Sequence, residues 1–336
     1  MTKSVQPKPK AKKGKTSEKP AASVEAIMAK VDAQAVAAGE KARKRKAKKA
    51  VQKSKPAPAY RLAIITFIDI LGFGDLVAAS DGPAKIRDIL SRLASFAANK
   101  SDARDEIDDT AAVVFSDSIV RVRFLDGPYR SGALFQEVLK LLHVQGEMLA
   151  DDVLLRGGLT VGLIHVEGQM AFGPGFIRAY RLESEFANYP RIVIGPEVFK
   201  TLRDGKILIA SHHDLEDEVH YQRQMLKRGE DGLWFIDYLY GFEDELDEPG
   251  QHVKLAEQHR ALVIKSANAA KPDSRVLQKH LWLARYVNDV AERLSRPELT
   301  ITQKDIPALE ELAEEPIWAN PPNGLKVVGK RADYDE

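Results

Sequence analysis

The chain has 336 residues, a formal net charge of +1 and no cysteine. Its length allows two or three compact units, and the lack of cysteine excludes disulfides, thiolate metal sites and a cysteine nucleophile. No run of about 18 apolar residues is present, so no membrane-spanning helix is predicted. The basic N-terminus lacks the apolar core of a secretory signal, and we therefore expect a cytoplasmic protein.

The charge is distributed unevenly along the chain. Residues 1–56 contain 17 Lys or Arg and 4 Asp or Glu, a balance of +13, whereas the remainder contains 33 and 45, a balance of −12. Residues 1–58 are rich in Lys, Pro and Ala and predict a basic, low-complexity tail and linker. Such a tail can bind nucleic acid through its phosphates. Because it has no interleaved aromatic residues and no binding motif, a solvated extension is the preferred interpretation.

The folded part is predicted to begin with a buried strand that ends in an acid. Residues 62–71 are almost continuously apolar up to Asp69 and beyond it, which is typical of a central strand covered on both faces. A carboxylate at the end of such a strand must pair, accept hydrogen bonds or bind a cation. Capping of the following helix is the alternative interpretation of this acid.

Helices and strands then alternate along the chain. Apolar spacing and β-branched runs predict a helix at 84–98, strands at 111–115 and 119–124, a helix at 132–150, strands at 159–166 and 169–172, a helix at 173–188 and a strand at 191–194. The order β-α-ββ-α-β-β-α-β predicts an α+β fold with a ferredoxin-like sheet and helices on one face.

A second acid, Asp117, lies at the tip of the predicted hairpin, between Ser116 and Ser118. Because a β-α-β crossover makes the first two strands parallel, the end of the first and the turn after the second share one sheet edge. Two carboxylates placed there repel each other unless a cation lies between them, and oxygen ligands suit Mg²⁺ or Mn²⁺. We therefore predict a divalent metal site at Asp69 and Asp117, with two unrelated helix or turn caps as the alternative.

Several short strings, in the same order, resemble class III nucleotidyl cyclases. They are FIDILGF (67–73), FSDSI (115–119) and GPGFIRAYRLE (173–183). Together with RGGLTVG (156–162) and YPRIVI (189–194), they make the chain most similar to the bacterial pyrimidine nucleotide cyclases of the Pycsar anti-phage signalling systems. The resemblance covers residues 60–200 well, and GLWFIDYL and HLWLARYVNDV less sharply.

The resemblance implies a cyclase domain at residues 59–205 that converts UTP or CTP to the 3′,5′-cyclic monophosphate and pyrophosphate. A cyclic-nucleotide-sensing effector would respond to this product in anti-phage defence. Two Mn²⁺ or Mg²⁺ ions per site would be bridged by Asp69 and Asp117, with the backbone carbonyl of Ile70 as a further ligand.

Two further groups are implied beside these metals. The turn Leu71-Gly72-Phe73 begins a helix, so its amides can hold phosphate oxygens without a Cβ at Gly72 in the way. Arg181 would stabilise charge on the transferred phosphoryl group, supplied by the partner chain of a head-to-tail homodimer. The alternative for Arg181 is an i to i+4 ion pair with Glu185 on its own helix.

Three positions depart from the pattern of the purine-specific relatives. Val113 and Gly168 stand where those relatives carry polar side chains that recognise a purine, and Ile177 stands where many carry the Asn that orients the ribose. The departures at Val113 and Gly168 argue against ATP or GTP and are consistent with a pyrimidine, without choosing between UTP and CTP. The departure at Ile177 implies that the ribose is positioned differently. A purine cyclase and a non-catalytic nucleotide-binding protein remain the alternatives.

Other polar residues are given structural interpretations. Arg156 and Arg191 could contact phosphates, but capping of the sheet is preferred for both. His212 and His213 lie in a charged stretch and are interpreted as an ordinary loop, not a metal site.

The C-terminal third is predicted to be largely helical. Apolar spacing indicates helices at 252–270 and 276–294. Residues 206–316 are therefore expected to form an accessory region on the cyclase body, followed by an irregular tail at 317–336.

Overall fold

A computed structural model describes residues 59–98, 109–127, 132–241 and 250–309. The predicted basic tail (1–58) and irregular tail (317–336) lie outside these residues. The strands are β1 (Arg61–Ile70), β2 (Thr110–Phe115), β3 (Ser118–Phe124), β4 (Leu155–Glu167), β5 (Met170–Phe172), β6 (Ile192–Ile194), β7 (Leu226–Arg228) and β8 (Trp234–Ile236). The helices are α1 (Phe73–Ala78), α2 (Pro83–Ala98), α3 (Ala133–Leu149), α4 (Pro174–Arg181), α5 (Pro196–Asp204), α6 (Leu215–Met225), α7 (Tyr238–Gly241), α8 (Gln251–Ala269) and α9 (Arg275–Arg293).

The first four strands have the ferredoxin-like order predicted from the sequence. They are arranged β2-β3-β1-β4, and β1 is antiparallel to both β3 and β4. The sheet then continues with β6 parallel to β4, followed by β8 and β7. The β7–β8 pair was not predicted from the sequence. One sheet therefore runs past residue 205.

Helices cover both faces of this sheet, so the expectation of helices on one face is wrong. Ile64 and Ile68 of β1 share a core with residues of α2 and α3. Ile65 and Phe67 point to the opposite face, where the Phe67 ring contacts Phe176 of α4 at a centroid distance of 6.2 Å. A strand with two apolar faces requires a covering layer on each side. None of the helices in the described ranges is long and apolar enough to cross a membrane.

Two arginines of β3 are buried beneath α3 and share one carboxylate. Arg121 Nε donates to Glu137 Oε1 at 2.8 Å, and Arg123 Nε donates to Glu137 Oε2 at 3.1 Å. No side chain of the three is more than 3% exposed. Burial raises the pKa of Glu137, but the two guanidinium groups outweigh burial and hold that pKa below its usual value. The core therefore depends on a compensated set of charges.

Glu137→Gln is expected to lower the free energy of unfolding by about 3–5 kcal/mol, because it leaves two buried cations without their shared counter-charge. Urea denaturation measures the change. Glu147→Gln, on the exposed side of the same helix, is the matched control and should change it by less than about 0.5 kcal/mol. Equal effects of the two substitutions would contradict the assigned role of Glu137.

Arg191 joins α9 to the sheet. Its side chain is fully buried and pairs with Asp231, and its guanidinium lies 5.3 Å from the ring centroid of Trp282 on α9. Trp282 also stacks on Tyr189, with ring centroids 5.1 Å apart and planes 5° apart. The preferred interpretation of Arg191 as a cap of the sheet is therefore wrong, because its buried side chain packs between the sheet and α9.

Two buried histidines belong to the packing of α8 and α9. His259 Nε2 lies 2.7 Å from the hydroxyl of Tyr238. The pKa of His259 is lowered to about 4, mainly by burial and to a smaller extent by the neighbouring His280. Burial also lowers the pKa of His280 to about 4, with a further contribution from Lys279. Both rings are therefore neutral in the folded chain at pH values where they would be protonated in the unfolded chain.

We expect stability to fall as the pH drops from about 6.5 towards 4, because between these values the unfolded chain binds protons that the folded histidines do not. Above pH 6.5 neither state is protonated at these rings, so this contribution is flat. His259→Gln should reduce the slope of unfolding free energy against pH in this window. The exposed His212→Gln is the control for losing one histidine, and an equal slope in wild type and His259→Gln would contradict the prediction.

Candidate active site

The register of β1 and β3 places the two predicted acids at one edge of the sheet. Asp69 lies opposite Ser118, the residue that follows Asp117, and Ser118 Oγ donates to Asp69 Oδ1 at 2.9 Å. Ser116 and Asp117 form the two-residue turn of the β2–β3 hairpin, with Ser116 in the left-handed region at a φ of 54°. A tight turn thus fixes Asp117 beside the end of β1.

Asp69 lies on the face of β1 that α4 covers. Phe67, two residues earlier on that face, packs edge-to-face against Phe176 and Tyr180 of α4. The side chain of Asp69 is 15% exposed. The acid is therefore mostly shielded from water, and a charged ligand interacts with it more strongly than in bulk water.

Arg156 of β4 links Asp69 to a third acid, Glu183. Its Nε and Nη2 atoms each lie 3.0 Å from Asp69 Oδ2, and Nη2 lies 2.7 Å from Glu183 Oε1. Glu183 is 3% exposed and belongs to the π-helical turn Leu182–Phe186 that continues α4. The expected sheet-capping role of Arg156 is therefore wrong, since this side chain lies within the candidate site.

Charges from several elements converge here. Burial raises the pKa of Glu183, Asp69 and Asp117 raise it further, and Arg156 and Lys279 lower it. Burial lowers the pKa of Lys279 on α9, Arg156 also lowers it, and Asp69 and Glu183 raise it. We call these five residues the edge cluster. Sequence analysis missed Glu183 and Lys279 as members, because neither has a local signal that sets it apart from an ordinary helical charge.

The glycine turn after β1 has the predicted form. Gly72 has a φ of 73° and precedes α1, and a Cβ built at this position would meet no atom within 4 Å. The amide of Leu71, however, donates to the carbonyl of Leu154 at 2.9 Å. Of the three predicted phosphate-binding amides, that of Leu71 is thus engaged within the protein, and Gly72 and Phe73 are left as candidates.

Arg181 pairs with a residue of its own helix and not with a residue of the edge cluster in the same chain. Its side chain is 65% exposed, and its Nε lies 3.9 Å from Glu185 Oε1. The ion pair considered as the alternative is therefore present, although an exposed pair at this distance contributes little. On the same helix, Ile177 and Tyr180 are 52% and 50% exposed, so Arg181 lies beside an uncovered apolar surface.

The histidine pair His212-His213, the other candidate for metal binding, has contacts that are typical of a structural role. His213 Nδ1 lies 3.2 Å from the buried Glu218 Oε2, and the His213 ring stacks on Tyr221 with centroids 4.9 Å apart. Within the described ranges, no group of three or more His, Asp or Glu residues is arranged to hold a metal ion.

A metal at the edge cluster would accordingly be held by two carboxylates, with main-chain or substrate oxygens completing its ligands. The guanidinium of Arg156 already occupies a cation position against Asp69 Oδ2. The donors are all oxygen atoms, the set that Mg²⁺ and Mn²⁺ prefer. Asp69 and Asp117 thus offer the type of donor that a divalent cation prefers.

Comparisons with known proteins add one finding. No model of a protein family matches the chain, and no curated protein matches it. Among solved structures, the chain is similar to an adenylate/guanylate cyclase/hydrolase from Silicibacter pomeroyi, with a TM-score of 0.31 and 19% sequence identity over 44% of this chain and 82% of that one.

Proposed function

We propose that this protein is a nucleotidyl cyclase that converts UTP or CTP to the 3′,5′-cyclic monophosphate and pyrophosphate. The observation that carries the proposal is the placement of Asp69 and Asp117 at one end of the β1–β3 ladder. The strings that resemble the pyrimidine cyclases lie around these two acids. The proposed product is a second messenger for an anti-phage effector.

In the proposed reaction, the 3′-hydroxyl oxygen of the ribose attacks the α-phosphorus of the same nucleotide. The hydroxyl proton passes to solvent, the bond from the α-phosphorus to the oxygen bridging to the β-phosphate breaks, and pyrophosphate leaves. When bound, Mn²⁺ or Mg²⁺ would supply the positive charge that lowers the pKa of the hydroxyl and neutralises the triphosphate. Asp69 and Asp117 would hold these ions, with the carbonyl of Ile70 as a further ligand.

The remaining groups position the triphosphate. The amides of Gly72 and Phe73 face phosphate oxygens at the start of α1, where the turn leaves space for a ligand. Lys279, from the far C-terminal part of the chain, adds positive charge to the same edge. This position suits the β- and γ-phosphates, which leave together as pyrophosphate.

The proposed homodimer supplies Arg181. Large apolar side chains are exposed on α4 and on the neighbouring β5, with Met170 at 58% and Phe172 at 46%. We propose that a second copy of the chain covers this surface and supplies its own Arg181 to the site of the first copy. The exposed state of Arg181 in the single chain supports this arrangement.

A pyrimidine substrate is supported by the absence of purine-recognising groups at two positions. The side chain of Val113 is apolar and 1% exposed, and Gly168 has no side chain at all and a φ of 59°. Neither residue donates a side-chain hydrogen bond to a purine edge.

The test is to incubate the full-length chain separately with UTP, CTP, ATP and GTP in the presence of Mn²⁺ or Mg²⁺, and to identify the products by mass spectrometry. Cyclic UMP or cyclic CMP with pyrophosphate supports the proposal. Products from ATP or GTP alone would indicate a purine cyclase. No product from any triphosphate with either metal would contradict cyclase activity.

A further inference from the structure

The guanidinium of Arg156 lies where a metal ligated by Asp69 would need access. Its Nε and Nη2 atoms converge on one oxygen, Asp69 Oδ2, at 3.0 Å each. The other oxygen of the same carboxylate accepts a hydrogen bond from Ser118 Oγ at 2.9 Å. In the single chain, both oxygens of the principal candidate ligand are therefore engaged by protein donors.

We propose that Arg156 is an internal competitor for the divalent metal at Asp69, and that Glu183 retains the guanidinium when the metal displaces it. This inference rests on the proposed function to the extent that it takes Asp69 to be a metal ligand. It assigns Arg156 and Glu183 a role in the access of metal to the site, and neither was among the predicted metal ligands.

Distance and charge both favour displacement of the guanidinium by a metal. A divalent cation such as Mg²⁺ binds a carboxylate oxygen at about 2.1 Å. With the guanidinium still 3.0 Å from the same oxygen, two centres of positive charge would lie within a few ångströms of each other in a site that is mostly shielded from water, where their repulsion is strong. The metal and Arg156 therefore compete for Asp69 Oδ2.

Arg156 has a second partner that keeps it in place after displacement. Its Nη2 is closer to Glu183 Oε1, at 2.7 Å, than to Asp69. Glu183 is 3% exposed, so loss of Arg156 would leave a buried carboxylate poorly compensated, a strongly unfavourable state. The favourable movement is thus a rotation of the Arg156 side chain about its contact with Glu183.

This movement needs no change of backbone. Arg156 and Asp69 are directly opposite each other on neighbouring strands, and their side chains project from the same face of the sheet. Rotation about side-chain bonds of Arg156 is enough to separate the two groups. Lys279 shares in compensating Glu183 throughout, since it also lowers the pKa of that carboxyl.

The test is Mn²⁺ binding to the full-length chain without nucleotide, measured as free Mn²⁺ by electron paramagnetic resonance. Arg156→Gln should tighten Mn²⁺ binding by about tenfold or more, because it removes the competing charge and leaves the three carboxylates of the edge cluster in place. Glu183→Gln should weaken Mn²⁺ binding about threefold or more. It removes one negative charge, and it takes away the carboxylate that holds Arg156 away from Asp69. Asp69→Asn should abolish the site.

Two further variants complete the design. Arg92→Gln makes the same change of charge on α2, where Arg92 forms an exposed ion pair with Asp151, and it should leave Mn²⁺ binding unchanged. Arg156→Lys keeps the charge but loses the fork that reaches two carboxylates at once. It should tighten binding less than Arg156→Gln, and it serves as the second variant if Arg156→Gln does not fold.

The opposite signs for Arg156 and Glu183 separate competition from a structural role, which would weaken binding in both variants. Unchanged or weaker Mn²⁺ binding in a folded Arg156 variant overturns the inference, as does binding that survives Asp69→Asn. If Arg156→Gln binds Mn²⁺ more tightly but the wild type turns over no triphosphate, the competition by Arg156 is supported and the proposed function is rejected. If the wild type turns over a triphosphate but Arg156→Gln binds Mn²⁺ no more tightly, only the competition by Arg156 is rejected.

Discussion

Asp69→Asn and Asp117→Asn should each lower kcat/KM for nucleotide cyclisation by about 10³-fold or more, because each removes one of the two carboxylate charges that hold the divalent metals. The asparagine keeps the size of the side chain, and at position 69 it can still accept the hydrogen bond from Ser118. Both variants should therefore stay folded. Product formation is measured by mass spectrometry, and folding by thermal melting followed by circular dichroism.

The matched control for these variants is Asp75→Asn. Asp75 is an exposed acid in the first turn of α1, so its substitution makes the same chemical change close to the site but away from the edge cluster. Activity of this variant should stay within about twofold of wild type. Activity of either cluster variant within tenfold of wild type would contradict a metal-binding role, and loss of folding would indicate a structural one.

Arg181→Ala should lower the rate of cyclisation by about 10³–10⁵-fold, the range found for arginines that stabilise a transferred phosphoryl group. Its effect on stability should be small, since the side chain is 65% exposed and its ion pair with Glu185 is long. Thermal melting of the purified variant checks that the loss of activity is not a loss of fold.

Mixing Asp69→Asn with Arg181→Ala should restore activity if the arginine acts across a two-fold interface. Half of the dimers formed at random are mixed, and each mixed dimer has one intact site out of two, so recovery should approach about a quarter of wild-type activity. A mixture of Asp69→Asn with Asp117→Asn is the control, because both acids belong to one chain and no intact site can form. No recovery in the first mixture, or equal recovery in both, would contradict a shared site.

The strands and the pairing of the two acids could be predicted because the signals are local. A continuous apolar run identified β1, and a two-residue polar turn identified the hairpin that carries Asp117. The crossover rule then placed Asp69 and Asp117 at one edge, where the register has them. No feature of either acid by itself distinguishes it from a cap, and only the topology joins them.

The remaining members of the edge cluster depend on long-range packing. Arg156 pairs with an acid 87 positions earlier in the chain. Glu183 becomes a buried acid through a local π-helical turn that helical periodicity does not predict. Lys279 reaches the site because the stacking of Trp282 on Tyr189 fixes α9 against the sheet. These contacts link parts of the chain that carry no shared sequence pattern.

The three-residue strand β6 is paired on both sides, with β4 along one edge and β8 along the other. A shortened chain that stopped near residue 205 would lose β8, so the free N–H and C=O groups of β6 would become a template for strands from other molecules. The same shortening would remove Asp231 and leave the buried Arg191 without its anion. Such fragments should aggregate or pair with other chains even when Asp69 and Asp117 are intact. An inactive fragment would therefore indicate poor solubility and would not show that the two acids lack a catalytic role.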